Sequence, residues 1–252
     1  MTMVRAAAFA CVIAVAAVAM NARPVQAADA APPVVVELFT SQGCSSCPPA
    51  DALLGELSKR GDVLTLGFHV DYWDYIGWKD PYASKFATKR QKQYAEGFKL
   101  SFVYTPQMVV NGVAESVGSD RAGIEAAVEK AKARPAVHPS LALERRGDGG
   151  LLVHVGAAEV RRSATVWLAC FDRQRSTPVP RGENAGSTLT NYHIVRHFES
   201  LGTWKGTLLD LSVGPDVVAE YAGRPDQDLA VLVQADGVGP ILAAERLGTA
   251  RP

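Results

Sequence analysis

The segment from Val34 to Arg60 constrains this chain more than any other stretch. Val34-Val35-Val36-Glu37-Leu38-Phe39 is a short, β-branched, apolar run that reads as a buried strand. The turn Ser41–Cys47 follows, and Pro49–Arg60 then sets Leu53, Leu54 and Leu57 on one helical face. Cys44 and Cys47 stand three apart where the turn enters the helix, close enough to form a small disulfide ring with little backbone movement. Strand, cysteine-bearing turn and helix in this order point to an α/β architecture.

The alternation continues. Asp62–Val70 is a second apolar strand, and Tyr82–Gly97 is polar and helix-forming, with Phe86, Arg90 and Tyr94 at four-residue intervals. Gln107–Val110 and Val113–Val117 flank Asn111-Gly112, which supplies the positive φ angles of a tight hairpin turn. Ser119 or Asp120 can cap a last helix that runs to Lys132 with a basic final turn. Strand, helix, strand, helix, strand, strand, helix is the order of the thioredoxin fold, a parallel βαβ unit joined to a hairpin. Residues 33–133 are therefore expected to form a thioredoxin-like domain.

Arg134-Pro135 and His138-Pro139 break the pattern and read as a linker. Beyond it, Leu141–Arg145 and Leu151–Val155 flank a turn, Gly147-Asp148-Gly149-Gly150. Ala164–Phe171, Gly206–Val213, Leu229–Gln234 and Ile241–Arg246 read as further strands, with helical periodicity only near Val217–Tyr221. Residues 140–248 are expected to form a small, mostly β, sandwich-like second domain.

The start of the chain reads as a signal peptide, residues 1–27. Arg5 precedes the uncharged apolar run Ala6–Met20, and Val25-Gln26-Ala27 offers small residues for cleavage. The run falls short of the roughly 20 residues of a spanning helix, so no stable membrane anchor is expected after cleavage. The expected location is periplasmic or secreted. Lys plus Arg and Asp plus Glu both number 26, without a long basic block, which argues against a nucleic-acid or anionic-membrane partner. Three cysteines remain after cleavage, too few for a disulfide-stapled scaffold in a compartment where disulfides persist.

A cysteine at a helix N-terminus favours thiolate, the form that attacks disulfides. Cys44, outermost, is the candidate nucleophile and Cys47 the resolving thiol. A lone CxxC also serves as half a zinc site, but no second CxxC or paired histidines accompany it. His69 and Asp71 share a strand face and could join the two thiols in a copper or zinc site, the rival reading. No cofactor is expected. Thr105-Pro106 precedes the hairpin where a cis peptide would face the cysteines and let Thr105 pair with an extended substrate; the alternative is an ordinary trans proline. Glu37 either lies buried with a raised pKa and relays protons, or points outward from the sheet. The aromatic segment His69–Trp78 either lines the site, with Trp73 or Trp78 touching a partner, or packs on the sheet. Cys170 reads as a small buried hydrophobe. Glu183-Asn184-Ala185-Gly186 and Asn191–Arg196 form a polar cluster without catalytic logic.

The runs Glu37–Asp51, His69–Trp78 and Tyr104-Thr105-Pro106-Gln107 resemble a secreted thioredoxin-like family of bacteria and plants catalogued as a domain of unknown function. The resemblance extends through Asn191–Arg196 and Leu201-Gly202-Thr203-Trp204. It implies the fold but no activity. Against thioredoxins, Gly43 replaces the tryptophan before the first cysteine, and Pro48-Pro49 carry no N–H. The helix is then expected to begin at Pro48, leaving Cys44 in a loop with weaker dipole support. The expectation for the whole is an exported thiol–disulfide oxidoreductase acting on protein or small-molecule thiols and disulfides. A module with a merely structural disulfide is a third possibility.

Overall fold

A computed structural model describes residues 32–133 and 138–247. The expected signal peptide and the Arg134-Pro135 break lie outside them. Among the described residues, no helix is long and apolar enough to cross a membrane.

The first half runs β1 (Val34–Thr40), α1 (Pro48–Leu57), β2 (Val63–His69), α2 (Lys85–Phe98), β3 (Gln107–Val110), β4 (Ala114–Val117) and α3 (Arg121–Lys132). β1 pairs parallel with β2 and antiparallel with β3. Asn111 and Gly112 both take positive φ in the hairpin turn, and Asp120 caps α3 by accepting from the Gly123 N–H at 3.0 Å. Every residue of β1 is buried, because helices cover both of its faces. Val34, Val36 and Leu38 pack under Leu53, Leu54 and Leu57 of α1 and Ile124 and Val128 of α3. Val35 and Phe39 point the other way, onto Phe68 and the Ala87 and Tyr94 face of α2.

The second half comprises β5 (Leu141–Arg145), β6 (Leu151–Val155), β7 (Ala164–Pro178), β8 (Thr188–Trp204), β9 (Leu209–Val213), α4 (Pro215–Ala222), β10 (Gln227–Ala235) and β11 (Ile241–Leu247). β5, β6 and β9 form a small antiparallel sheet. It buries Leu151, Val153 and Val155 in one core with Val166, Leu168, Leu229 and Val231. The remaining strands continue the first sheet, in the order β11-β10-β7-β8-β2-β1-β3-β4. β7, β8, β10 and β11 of the expected second domain therefore share a sheet with the strands of the first, and the described residues form a mixed α/β structure dominated by that sheet.

β7 extends seven residues beyond the expected Phe171, and β8, with 17 residues, has no counterpart in the sequence reading. Register shifts between Val166 and Trp167 and between Cys170 and Phe171 break the two-residue alternation that marks a strand. The junction of the halves is the parallel contact of Gly67 with Ile194. A Cβ at Gly67 would stand 2.8 Å from the Tyr192 carbonyl oxygen, so the strands approach this closely only because residue 67 lacks one. Gly67→Ala is expected to cost about 1–3 kcal/mol, the usual penalty of overpacking. Gly61→Ala, with nothing within 4 Å, should stay within about 0.5 kcal/mol of wild type. Urea denaturation of both variants checks this.

Candidate functional site

Cys47 is the N-cap of α1, and Pro48 and Pro49 occupy the first helical positions, where a missing N–H breaks no helical bond. Cys44 and Cys47 form a disulfide with their Cα atoms 5.4 Å apart. The Ser46 hydroxyl lies 3.3 Å from Cys44 Sγ. A Cβ at Gly43 would stand 3.1 Å from Trp73 Cβ and 3.2 Å from Ile76 Cδ1, so the aromatic loop fills the space that a tryptophan there would need. The Thr105–Pro106 peptide is cis. Trp73 Nε1 donates to Thr105 Oγ1 at 2.7 Å, tying the aromatic loop to the residue before that proline. Gly118 sits between Pro106 and α1, since a Cβ there would lie 3.0 Å from both Ala50 Cβ and Pro106 Cβ. Cys44, Cys47, Trp73, Thr105 and Pro106 thus belong to loops that meet at one end of the sheet.

A fourth segment is hydrogen-bonded to the cysteine turn. Asn184, in the 179–187 loop between β7 and β8, donates through Nδ2 to the carbonyls of Gln42 (2.8 Å) and Cys44 (3.1 Å). The Ser45 N–H donates to Glu183 Oε2 at 3.1 Å, and the Ser45 hydroxyl and N–H together hold the Glu183 carboxyl below its ordinary range. Trp78 Nε1 donates to Gln42 Oε1 at 3.1 Å, and Gly182 passes beside Trp78. Cys44 is 1% exposed and Cys47 0%, although Ser45 and Ser46 between them face solvent. Glu183 and Asn184 act on a turn about 140 residues away, a relation with no local signature in the sequence.

Glu37 is buried, but it faces α2. Arg90 Nε donates to its Oε1 at 2.6 Å, and the Tyr94 hydroxyl donates to Oε2. Arg90 also donates to Gln234 Oε1 at 2.9 Å and lies over the Phe198 ring at 4.6 Å. Glu37 is the fixed counter-ion of a buried arginine on the sheet face opposite α1, and the expected proton relay does not fit that position.

A buried acid on the α1 face is Asp51, which the sequence reading passed over. Its carboxyl is 4% exposed and accepts from Thr40 Oγ1 at 3.1 Å. Burial pushes its pKa up to about 6, against the pull of the His69 charge and of the Thr40 and Asn191 side chains. His69, at the end of β2, holds Asp80 through Nδ1 at 2.7 Å. Burial opposes both charges. The Asp80 charge and hydrogen bond nevertheless raise His69, while the His69 charge and the N–H groups of Gln42 and Tyr82 hold Asp80 low. Asp71 instead accepts from Thr88 Oγ1 at 2.6 Å, so the anticipated His69–Asp71 ligand pair does not assemble. Among the described residues, no group of three or more His, Cys, Asp or Glu side chains could hold a metal ion. His193 bonds Thr65 Oγ1 at 2.7 Å, and burial with the nearby Arg246 charge pushes its pKa down to about 4, so it stays neutral. The Cys170 thiol is buried, which pushes its pKa up to about 12.

The raised Asp51 pKa has a signed consequence for stability. Between about pH 4 and 6 the folded chain keeps a proton that the unfolded chain releases, so stability present below the unfolded value of 3.8 is lost as pH rises through about 6. Asp51→Asn should therefore stabilise the oxidised protein at pH 7 by roughly 2–3 kcal/mol and flatten its pH dependence in that window. Thermal denaturation at several pH values reads both effects.

The comparisons with known proteins agree with the extent of this fold. The model of a family described as "Protein of unknown function (DUF1223)" matches residues 35–234. The crystal structure of protein AGR_C_4864 from Agrobacterium tumefaciens is 33% identical, with a TM-score of 0.76, covering 87% of this chain and 96% of that one. A search of curated proteins found no match. The family match spans both halves, including the cysteine turn and the loop that covers it, and the chain belongs to the DUF1223 family of proteins of unknown function.

Proposed function

We propose that this protein is an exported thiol–disulfide oxidoreductase whose 33–133 segment is thioredoxin-like. The observation that carries the reading is the Cys44–Cys47 disulfide closed at the N-cap of α1, with the cis Thr105–Pro106 peptide across Gly118 from the same helix turn. The strand order β2-β1-β3-β4, with α1 and α3 on one face and α2 on the other, supports it. Cys44 is the sulfur exchanged with protein or small-molecule thiols, and the Ser46 hydroxyl is placed to donate to its thiolate. Cys47 resolves the mixed disulfide. Pro106 and Thr105 border the groove, and Trp73 fixes Thr105 in place. Because Cys44 is covered, exchange requires the 179–187 loop to swing aside, exposing the Cys44 carbonyl and the Ser45 N–H for an incoming chain.

The covering favours one other reading, a binding module stapled by an inert disulfide. Equilibration in glutathione buffers, read by thiol alkylation, separates the two. The oxidoreductase is expected to titrate reversibly between about −270 and −120 mV, and a staple to stay oxidised, below about −300 mV. Insulin reduction lost in both Cys44→Ser and Cys47→Ser would support the first reading, and no turnover by wild type would refute it.

The loop itself is testable. Each hydrogen bond is worth about 0.5–1.5 kcal/mol, so deleting the two from Asn184 makes the open loop on the order of tenfold more populated. Asn184→Ala is expected to accelerate reduction by dithiothreitol by that factor, and an unchanged rate would show that the loop does not control access.

A further inference from the structure

The backbone donors of the cysteine turn face oxygens. The Gln42 N–H goes to Asp80 Oδ2 at 2.8 Å, and the Gly43 N–H to Ser41 Oγ at 3.0 Å. The Cys44 N–H goes to the Ser41 carbonyl at 3.1 Å, and the Cys47 N–H to the Cys44 carbonyl at 3.2 Å. The Ser45 N–H goes to Glu183 Oε2 at 3.1 Å. Pro48 and Pro49 have no N–H to offer. At most helix N-termini such groups favour a cysteine thiolate. Here the donor beside Cys44 Sγ is the Ser46 hydroxyl, 3.3 Å away.

Into this turn the 179–187 loop brings a charge. The Ser45 N–H and hydroxyl hold the Glu183 carboxyl below its ordinary range, so it is ionised at neutral pH. Ser45 is next to Cys44 in the chain, and Asn184 of the same loop bonds the Cys44 carbonyl at 3.1 Å. A like charge near a thiol disfavours its ionised form. Cys44 is 1% exposed, so little water screens its sulfur, whereas Glu183 faces solvent and responds to salt. Asp80, which also bonds this turn, is already paired with His69. We infer that Glu183 tunes the cysteine pair from the second half of the chain. With the loop seated, its carboxylate disfavours the Cys44 thiolate and holds the pair toward the disulfide; displacement of the loop by a partner releases that bias. The inference rests on the redox reading of the pair and adds its regulation: the pair accepts electrons most readily once a partner has taken the loop's place. Linkage requires the reverse as well, so reduction loosens the loop by the same factor.

The charge moves as follows. A dithiol in its monothiolate form attacks Cys44 Sγ, a mixed disulfide forms, and the Cys44–Cys47 bond breaks with its electron pair passing to Cys47. The second sulfur of the reagent gives up its proton and attacks the first, closing the reagent's ring and expelling Cys44 as a thiolate. That proton ends on Cys47. The protein disulfide is reduced and the dithiol oxidised, and one negative charge has passed from the reagent to Cys44, where Glu183 opposes it.

The test equilibrates the native, full-length protein in dithiothreitol and in glutathione redox buffers and reads the reduced fraction by thiol alkylation. Glu183→Gln keeps an oxygen for the Ser45 N–H but removes the charge. It is expected to raise the equilibrium constant for reduction about fivefold, the low end for coupling between sites, or ~20 mV at about 30 mV per tenfold. Salt at about 1 M should bring wild type toward the variant. Trypsin cleavage after Arg181, which is exposed in the same loop, supplies a second readout. Reduced wild type should be cut about fivefold faster than oxidised, because cleavage tracks the open population, and Glu183→Gln should bring that ratio to about one. Equal constants for wild type and Glu183→Gln, or a cleavage ratio that the substitution leaves unchanged, overturn the inference while the redox reading stands. A wild-type disulfide that glutathione leaves oxidised overturns the redox reading and the inference with it.

Discussion

The approach of β8 to β2 at Gly67 governs everything downstream in this molecule. Without it the βαβ-plus-hairpin unit would end its sheet at β2, and β7, β8, β10 and β11 would form a separate one. With it, β7 and β8 run on from the first sheet, and their connecting loop arrives over the cysteine turn. A backbone contact thus brings the second half to the cysteine turn. Gly55 of α1 repeats the pattern one layer up, where a Cβ would meet the Tyr192 ring at 2.5 Å. Two missing side chains therefore let β8 nest between β2 and α1.

The charges buried in the first half divide by sheet face. On the α2 face, Glu37 and Arg90 neutralise each other among aromatic rings and bridge to Gln234 of β10, which fastens the two halves together. Removing either partner would leave the other charge unpaired, so this pair fixes geometry more than it adds stability. On the α1 face, His69 and Asp80 form a second pair, and Asp51 stands beside it without a cation of its own in hydrogen-bond reach. Burial raises the Asp51 pKa, and the residue lies one helical turn from Cys47. Burial alone did not distinguish Glu37 from Asp51; the partners did.

Much of the local architecture was legible because it depends on neighbours in the chain. The β-branched run before Cys44, the leucines of α1, the Asn111-Gly112 turn and the Asp120 cap are all set by φ preference or side-chain period within a few residues. The limits of β5 and β6 came out at Leu141–Arg145 and Leu151–Val155 for the same reason. β8 was missed because its bulged pairing with β7 moves side chains from one face to the other partway along. A polar stretch such as Asn191-Tyr192-His193 then shows no strand period, although Asn191 and His193 are buried.

The sequence by itself determined the order of elements in the first half and the placement of a cysteine pair at a helix start. It also marked out the aromatic and Thr105-Pro106 segments that border the pair. Only the tertiary structure decided that Arg90 claims Glu37, that Asn191 of β8 lies beside the buried Asp51, and that Glu183 and Asn184 bond the cysteine turn. The physical reason is separation along the chain. Helix caps and turns draw on a few adjacent residues, whereas these contacts join residues 53 to about 140 apart, brought together by sheet register and by side chains too small to keep two backbones apart.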